Sequence, residues 1–337
     1  MSVNDKFSWL FEELDSVGDI PKAISVSLGS SKRDKIFTVE LFGTRSLIGR
    51  VGVNGDFKLA KQLMRILSSR VDAIGLGGID LYLQVGSTRY VIKDARLLID
   101  GIQGVPIADG SGLKLSLESY AIYYLTEKGY INPDMKVLMV SSVDRWGMAE
   151  AFWQLGYRCI FGDLIFGLGI DRPISSLEEV RKLASVFLKH ITALPFELLY
   201  PVGSKQERRR SHKSNWRERY YKGADIIAGD FHFINRYLPI DLKGKVIITN
   251  TVTSENVAEL RERGLEALYT TTPYIDGRSF GTNVLEACIL ALIRRKIGIF
   301  RDNIYEILLK HDTTYNQRIL LFREIISYLR LKPMKVI

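Results

Sequence analysis

The stretch KVLMVSSVDRWGMAEAFWQLGYRCIFGDL, residues 136–164, decides how this chain is read. An apolar run ends in the polar turn Ser-Ser-Val-Asp-Arg-Trp-Gly, a helix-like segment follows, and a second apolar run stops at Gly-Asp. Strand, turn, helix and strand in this order form the βαβ unit of a dinucleotide-binding sheet. Laid on the GxGxxG fingerprint, Ser142 and Asp144 take the first two glycine positions, Gly147 the third, and Ala151 the small residue beyond. Asp163 then stands where an acid about 20 residues on accepts from a ribose 2′-hydroxyl. The first glycine allows a tight turn, the second lets backbone approach a pyrophosphate, and the third lets helix pack on strand. Only the third is present. The free N–H groups and positive dipole end of the helix remain available to an anion, with Ser141, Ser142 or Arg145 as further partners. Asp144 reads equally well as a helix N-cap.

Outward from this unit, strand and helix alternate. Strands are expected at KVLMVS, RCIFGD, ADIIAGD (224–230), KVIITNTV (245–252) and ALYTTTP (267–273), and helices at 146–156, 176–192, 254–264 and 281–296. Short apolar strands between amphipathic helices imply a mostly parallel sheet covered on both faces. Ligands of such sheets bind beyond the carboxyl ends of the strands. Those ends carry Ser141, Asp163, Asp230 with His232, Asn250 with Thr251, and Thr270–Thr272, which suggests one lined crevice. The same residue types also cap turns.

The first half reads as a second α/β unit. AISVSLGS, IFTVELFG, SLIGRVGV and VDAIGLGGID are strand-like, LYLQVGSTRYVI is a hairpin, and Phe57–Arg70 carries an apolar stripe at Leu59, Leu63, Ile66 and Leu67. KDARLLIDGI is helical, VPIADGSG is a strand leading to a glycine loop, and LKLSLESYAIYYLTEKG is a long helix. The turn Asn132-Pro133-Asp134 marks a boundary. The expected architecture is α/β in two domains. Residues 1–20 form a peripheral helix, 21–133 an N-terminal α/β substrate domain, 134–300 a Rossmann-like cofactor domain, and 301–337 a helical extension.

The chain has 337 residues, 46% hydrophobic and 25% charged, with a formal charge of +9. No apolar run reaches the ~18 residues that span a bilayer, and residues 1–21 lack the basic and apolar regions of a signal peptide. A cytoplasmic protein that does not enter membranes is expected. Two cysteines, Cys159 and Cys288, lie in apolar segments, and the four histidines are scattered, so no metal site is expected. Part of the positive charge sits in SKQERRRSHKSNWRERYYKG, residues 204–223. With Trp216, Tyr220 and Tyr221 this segment suits phosphate contacts and base stacking, although charge runs are more often solvated and no nucleic-acid motif accompanies it. A small anionic molecule is the other expected partner, and a homodimer is compatible with the sequence.

Among the remaining motifs, GRSFGTNVLEA (277–287) opens a helix. Arg278 suits a carboxylate or phosphate and Asn283 a ligand amide or hydroxyl, unless Ser279 or Thr282 merely caps the helix there. SSKR (30–33) offers backbone N–H groups with Lys32 and Arg33. DGSGLK (109–114) offers an acid and an amine, Asp109 and Lys114, near a strand end, where they suit proton transfer if a substrate lies between them.

Taken together, SVSLGSSKRD, GLGGIDLY, DGSGLK, VDRWGMAEA, GDLIFGLG, PFELLYP, AGDFHFI, TNTVT and GRSFGTNVLEA resemble a bacterial family labelled quinate 5-dehydrogenase, related to quinate/shikimate dehydrogenases, over roughly residues 22–293. The resemblance implies an NAD- or NADP-dependent oxidoreductase acting on a small polyhydroxy acid. Lys114 and Asp109 then stand for the catalytic Lys–Asp pair. Ser141, Ser142, Arg145, Gly147, Asp163, Asn250 and Thr251 stand for the cofactor site, and Asp230, His232, Arg278 and Asn283 for the substrate site. Shikimate dehydrogenases carry a GAGG-type cofactor loop, where this chain has SSVDRWG. That departure leaves a second expectation, a non-redox ligand-binding or regulatory protein of Rossmann-like shape.

Overall fold

The computed structural model describes residues 2–195, 216–297 and 315–337. In chain order its elements begin with helices α1 (Val3–Lys6) and α2 (Ser8–Ser16), strand β1 (Lys22–Ser27), a short 3₁₀ turn (Ser31–Arg33), β2 (Lys35–Leu41), β3 (Thr44–Gly52), α3 (Phe57–Leu67) and β4 (Ala73–Gly77). The hairpin β5 (Tyr82–Val85) and β6 (Thr88–Val91) follows, then α4 (Lys93–Ile99), β7 (Ile107–Ala108) and the long α5 (Ser111–Glu127). The second half contains β8 (Lys136–Met139), α6 (Trp146–Gln154), β9 (Arg158–Phe161), a π-helical turn (Asp163–Leu168), α7 (Leu177–Ile191), α8 (Glu218–Gly223), β10 (Ile226–Ala228), α9 (Phe231–Asn235), β11 (Val246–Thr249) and α10 (Ser254–Glu262). It continues with β12 (Ala267–Thr270), the small ribbon β13 (Tyr274–Ile275) and β14 (Arg278–Ser279), α11 (Thr282–Arg294), α12 (Tyr315–Tyr328) and β15 (Met334–Lys335).

These elements build two sheets. The first runs β2-β3-β1-β4-β7, parallel except for β2, which turns back against β3. The second runs β9-β8-β10-β11-β12, all parallel, with β15 antiparallel on β12. Ile226 of β10 registers with Val137 of β8 on one side and Val246 of β11 on the other. Numbered within this sheet, the order is 2-1-3-4-5, in which the direction of winding reverses between β8 and β10. The strands expected in both halves are present.

Each sheet is covered on both faces. One face of the first sheet packs Val26, Leu28 and Leu76 against Leu10 and Leu14 of α2 and Leu63 and Leu67 of α3. Its other face packs Ala23, Ile48 and Ala73 against Leu113 and Leu117 of α5, Ile289 of α11 and Phe322 of α12. The second sheet meets Phe152 of α6 and Val180 of α7 on one side, and Tyr221 of α8, Phe231 of α9 and Leu260 of α10 on the other. Packing therefore crosses the boundary expected at residue 134. Helices α11 and α12 lie between β12 and β15 of the second sheet in sequence but help to close the first one. Helix α5 serves both layers: Leu113 and Leu117 face the first core while Ile122 and Leu125 face the second. A helix buried nearly all round shows no single apolar stripe.

Of the basic segment, residues 204–215 lie outside the described residues. At its described end Tyr221 is fully buried and donates to the Ile234 carbonyl, and Tyr220 donates to Asp171 at 2.8 Å. Those rings are core and hydrogen-bonding residues rather than a displayed stacking surface. Among the described residues no helix is long and apolar enough to cross a membrane, and no group of three or more His, Cys, Asp or Glu is placed to hold a metal ion.

Candidate functional site

The carboxyl ends of the two sheets face one cleft of about 230 Å³. Leu76–Asp80, from the end of β4 onward, and Asp109 after β7 form its first wall; Asp144, Arg145, Asp230, Asn250 and Thr251 line it from the second sheet; Arg278–Val284, from β14 into the start of α11, completes it. Of the expected site residues, Asp109, Lys114 and Arg145 line the cleft, as do Asp230, His232, Asn250, Thr251, Arg278 and Asn283. Ser141, Ser142, Gly147 and Asp163 do not appear among its lining residues.

The turn after β8 explains that division. Ser142 is fully buried and its hydroxyl donates to the Asp163 carboxylate, which also accepts from the Val143 N–H at 3.0 Å. Burial pushes the Asp163 carboxyl up, against hydrogen bonds from Ser142 and Val143 that favour its charge. Asp163 thus shapes the turn and its oxygens are engaged within the protein. Gly147 is needed for a different close approach than a pyrophosphate's: a Cβ there would lie 2.5 Å from the Lys114 carbonyl oxygen and 2.7 Å from that of Leu115. It lets α6 cross α5. Helix α6 begins at Trp146 with Arg145 as N-cap residue, and no side chain caps it. The expected cap, Asp144, points elsewhere.

Asp144 belongs to a buried ionic network. The Lys114 ammonium donates to Asp80 and to Asp144, both at 2.9 Å. Arg145 meets Glu118 at 2.6 Å, Asp230 at 2.6 Å and Asp144 at 2.9 Å. The Asn250 amide donates to Glu118 at 3.2 Å. The Arg145–Asp230 contact joins the turns after β8 and β10, where the winding of the sheet reverses and ligands of such sheets ordinarily bind. Two cations face four carboxylates, so protonation makes up the balance. Burial pushes Asp80 up to about 7, with Lys114 pulling it down and Asp144 pushing it up. Burial likewise pushes Glu118 up to about 7 against the pull of Arg145 and Lys114. Asp144 resists its own burial, and Lys114 and Arg145 hold it far below the ordinary carboxylate range. Burial opposes the charge on Lys114, but Asp144 and Asp80 outweigh it and keep the ammonium protonated.

The expected pairing of Lys114 with Asp109 is therefore replaced by Lys114 with Asp80. Asp109 accepts from the N–H groups of Leu81 and Ser111, both at 3.0 Å, and holds the turn that enters α5. Gly110 stands there at φ +85° against Thr282 and Asn283, with no room for a Cβ. Asp80 closes the string GLGGID, so its strand-end position was readable. Its partner was not, because Lys114 lies 34 residues away. Glu118 was missed as well; an acid within an apolar helix, LKLSLESYAIYY, was the available signal.

The cleft also has a cationic wall of Arg33, Arg50 and Arg278. Arg50 donates to Asp34 at 3.1 Å, to the Ser30 carbonyl at 2.9 Å and to Ser27 at 2.9 Å. Arg278 donates to the Arg33 carbonyl at 3.0 Å, and Arg33 lies 2.6 Å from Nε2 of His232. Burial lowers His232 to about 4, aided by Arg33 and Arg50 and opposed by Asp230, so the ring is neutral at pH 7. Asp230 caps α9 by accepting from the His232 N–H at 2.8 Å. Asn283 donates to Ser25 at 2.7 Å, tying α11 to β1, and Thr251 donates to Asn250 at 3.3 Å. Asp34 is the acid of this wall, and burial pushes it up to about 6.

The fold and cleft define a mixed α/β protein with two largely parallel sheets whose strand ends share one ligand-sized space. The chain belongs to the family described as Domain of unknown function (DUF8754), which matches residues 112–319; a second Domain of unknown function (DUF8753) matches residues 22–109. No curated protein matches the sequence. Among solved structures, a glutamate dehydrogenase is 13% identical, with 92% of this chain and 78% of that one covered and a TM-score of 0.33. A sugar ABC transport system substrate-binding protein from Bordetella parapertussis 12822 is 12% identical, with 85% of each chain covered and a TM-score of 0.29. A protein from Mycobacterium smegmatis is 9% identical, covering 84% of this chain and 88% of that one, at a TM-score of 0.32. Superpositions at this level carry no argument about function.

Proposed function

We propose that this protein binds a small hydroxylated carboxylic acid in the cleft and exchanges a proton with one of its hydroxyl groups. The reading is carried by the make-up of the cleft: Arg33, Arg50 and Arg278 line it together with the Lys114–Asp80 pair. A carboxylate against guanidinium groups gains charge-assisted, geometrically specific hydrogen bonds. Lys114 is held charged, so it serves a ligand hydroxyl as hydrogen-bond donor rather than as base. Asp80, near 7, is the group suited to accept the proton. Quinate and shikimate, the substrate class that the sequence resemblance implies, have this combination of one carboxylate and ring hydroxyls.

Hydride transfer to NAD or NADP, the other half of that expectation, lacks a fitting seat at residues 141–147. Ser142, Val143 and Asp163 hydrogen-bond one another, and Asp144 and Arg145 place fixed charges at the start of α6. This arrangement favours the second expectation, a non-redox ligand-binding or regulatory protein of Rossmann-like shape.

The test is calorimetric titration with quinate and shikimate, on the native protein and on Arg278→Gln and Asp80→Asn, followed by fluorescence titration with NADH and NADPH. Saturable acid binding is expected, weakened roughly tenfold or more by Arg278→Gln, in line with the loss of a hydrogen-bonded charge. Asp80→Asn removes the change in affinity around pH 7. Absence of binding by either acid sinks the proposal. Saturable binding of a reduced nicotinamide reinstates the oxidoreductase.

A further inference from the structure

Among the described residues, six other than glycine have a left-handed backbone. Phe42 turns the β2–β3 hairpin, Asn54 the approach to α3 and Asp276 the β13–β14 ribbon, while Lys296 and Arg330 follow the ends of α11 and α12. Left-handed residues are ordinary in such turns and helix ends. Thr251 differs. It stands at φ +58° just beyond β11, in neither a turn nor a helix end, and it lines the cleft. It is also the only β-branched member of the six, and a branched Cβ makes this conformation costly. The bend itself serves the fold. After it, the Val252 N–H donates to the Ser279 hydroxyl and the Val252 carbonyl accepts from the Ser279 N–H, both at 2.9 Å, and Thr253 bridges to Arg278. The ribbon that carries Arg278 to the cleft is thereby tied to β11. Glycine makes such a bend without the penalty, as Gly229 does after β10 at φ +137°. What threonine adds is its side chain.

The proton of that side chain is committed. Oε1 of Glu118 accepts from Arg145 at 2.6 Å and from Nδ2 of Asn250 at 3.2 Å. The Asn250 amide therefore offers its oxygen to Thr251, whose hydroxyl donates to it at 3.3 Å. With its hydrogen used, the Thr251 oxygen has only lone pairs left to offer. We propose that Thr251 is a specificity-determining contact of the cleft: its oxygen accepts from a hydroxyl of the bound acid, and the strained bend holds it in place. The inference rests on the reading of the cleft as a hydroxy-acid site and names a residue that reads the hydroxyl.

The test is calorimetry with quinate and shikimate on the full chain, native and as Thr251→Ser, Thr251→Val and Thr251→Gly, with the melting temperature of each. Thr251→Ser keeps the hydroxyl and is expected to bind within about threefold of native. Thr251→Val keeps size and branching without the hydroxyl, and is expected to bind roughly tenfold more weakly, the loss of one hydrogen bond. Thr251→Gly keeps the bend and is expected to melt no lower than native while binding as weakly as Thr251→Val. Native affinity in Thr251→Val, or a loss in Thr251→Ser as large as in Thr251→Val, overturns the inference and leaves the hydroxy-acid reading standing. A melting temperature of Thr251→Gly well below native overturns it too, because the bend would then carry no strain. If the native protein binds neither acid, the hydroxy-acid reading fails and takes this contact with it.

Discussion

Replacing Arg145 by methionine tests the buried network most directly. The guanidinium is nearly inaccessible and compensates Glu118, Asp144 and Asp230 together. Methionine fills much of its volume but leaves those carboxylates beside Lys114 alone. Breaking a buried ion pair by removing one partner costs about 3–5 kcal/mol, a large part of a total stability of roughly 5–15 kcal/mol. The loss is expected in full at pH 8. It shrinks toward pH 5, because the abandoned Glu118 carboxyl, its folded pKa raised by burial, takes up a proton there that the unfolded chain largely lacks. Native protons in excess make stability fall as pH rises, so the variant falls further behind with increasing pH. Urea denaturation of both proteins at pH 5, 6.5 and 8 reads the effect. A deficit below about 1 kcal/mol at pH 8, or one equal at pH 5 and 8, would refute the claim that Arg145 holds the network together.

Other consequences are smaller in scope. Glu118 has a folded value of about 7 against an ordinary 4.5, so it makes stability decline as pH rises through that window; Glu118→Gln should lessen the slope by up to about 1.4 kcal/mol per pH unit, and unchanged slopes in pH-dependent denaturation would count against its burial as an acid. Gly147→Ala places a methyl against two α5 carbonyls and should destabilise by about 1–3 kcal/mol, seen as a lower melting temperature; an unaffected melting temperature would mean that α5 and α6 are not in contact there. Cys159 and Cys288 are buried and their thiols are pushed up to about 12, so native protein should resist alkylation at pH 8 and react fully once denatured.

Much of the layering was legible because it depends on local pattern. The apolar runs ending in Ser141, Asp230 and Asn250 gave the second sheet, and the stripe Leu59, Leu63, Leu67 gave α3 with its buried face. The partition of helices between sheets was not legible. GRSFGTNVLEA announces a helix start, but nothing in it tells that Ile289 will share a core with Ala73, more than two hundred positions earlier. The site divides similarly. Strand-end position puts Asp230, His232, Asn250 and Thr251 on the cleft, while Ser141 and Asp163 stay off its lining. Pairing did not follow from position, since Lys114 passes over Asp109 for Asp80, and Asp163 serves Ser142 rather than a ribose. Glu286, fully buried and accepting from Arg318 and the Leu113 N–H, repeats the lesson of Glu118: an acid inside an apolar helix marks a distant cation.

The packing of α11 and α12 on the first sheet bears on how the chain is made. Residues 22–108 supply every strand of that sheet, yet one of its faces is closed by residues 282–294 and 315–328. At ~5–20 residues per second, about 10–35 s of synthesis separate the last of those strands from the first of those helices. During that interval a nascent chain on the ribosome has only α5 to set against Ala23, Ile48 and Ala73, so chaperone capture and aggregation compete with completion of that layer in that period rather than after release.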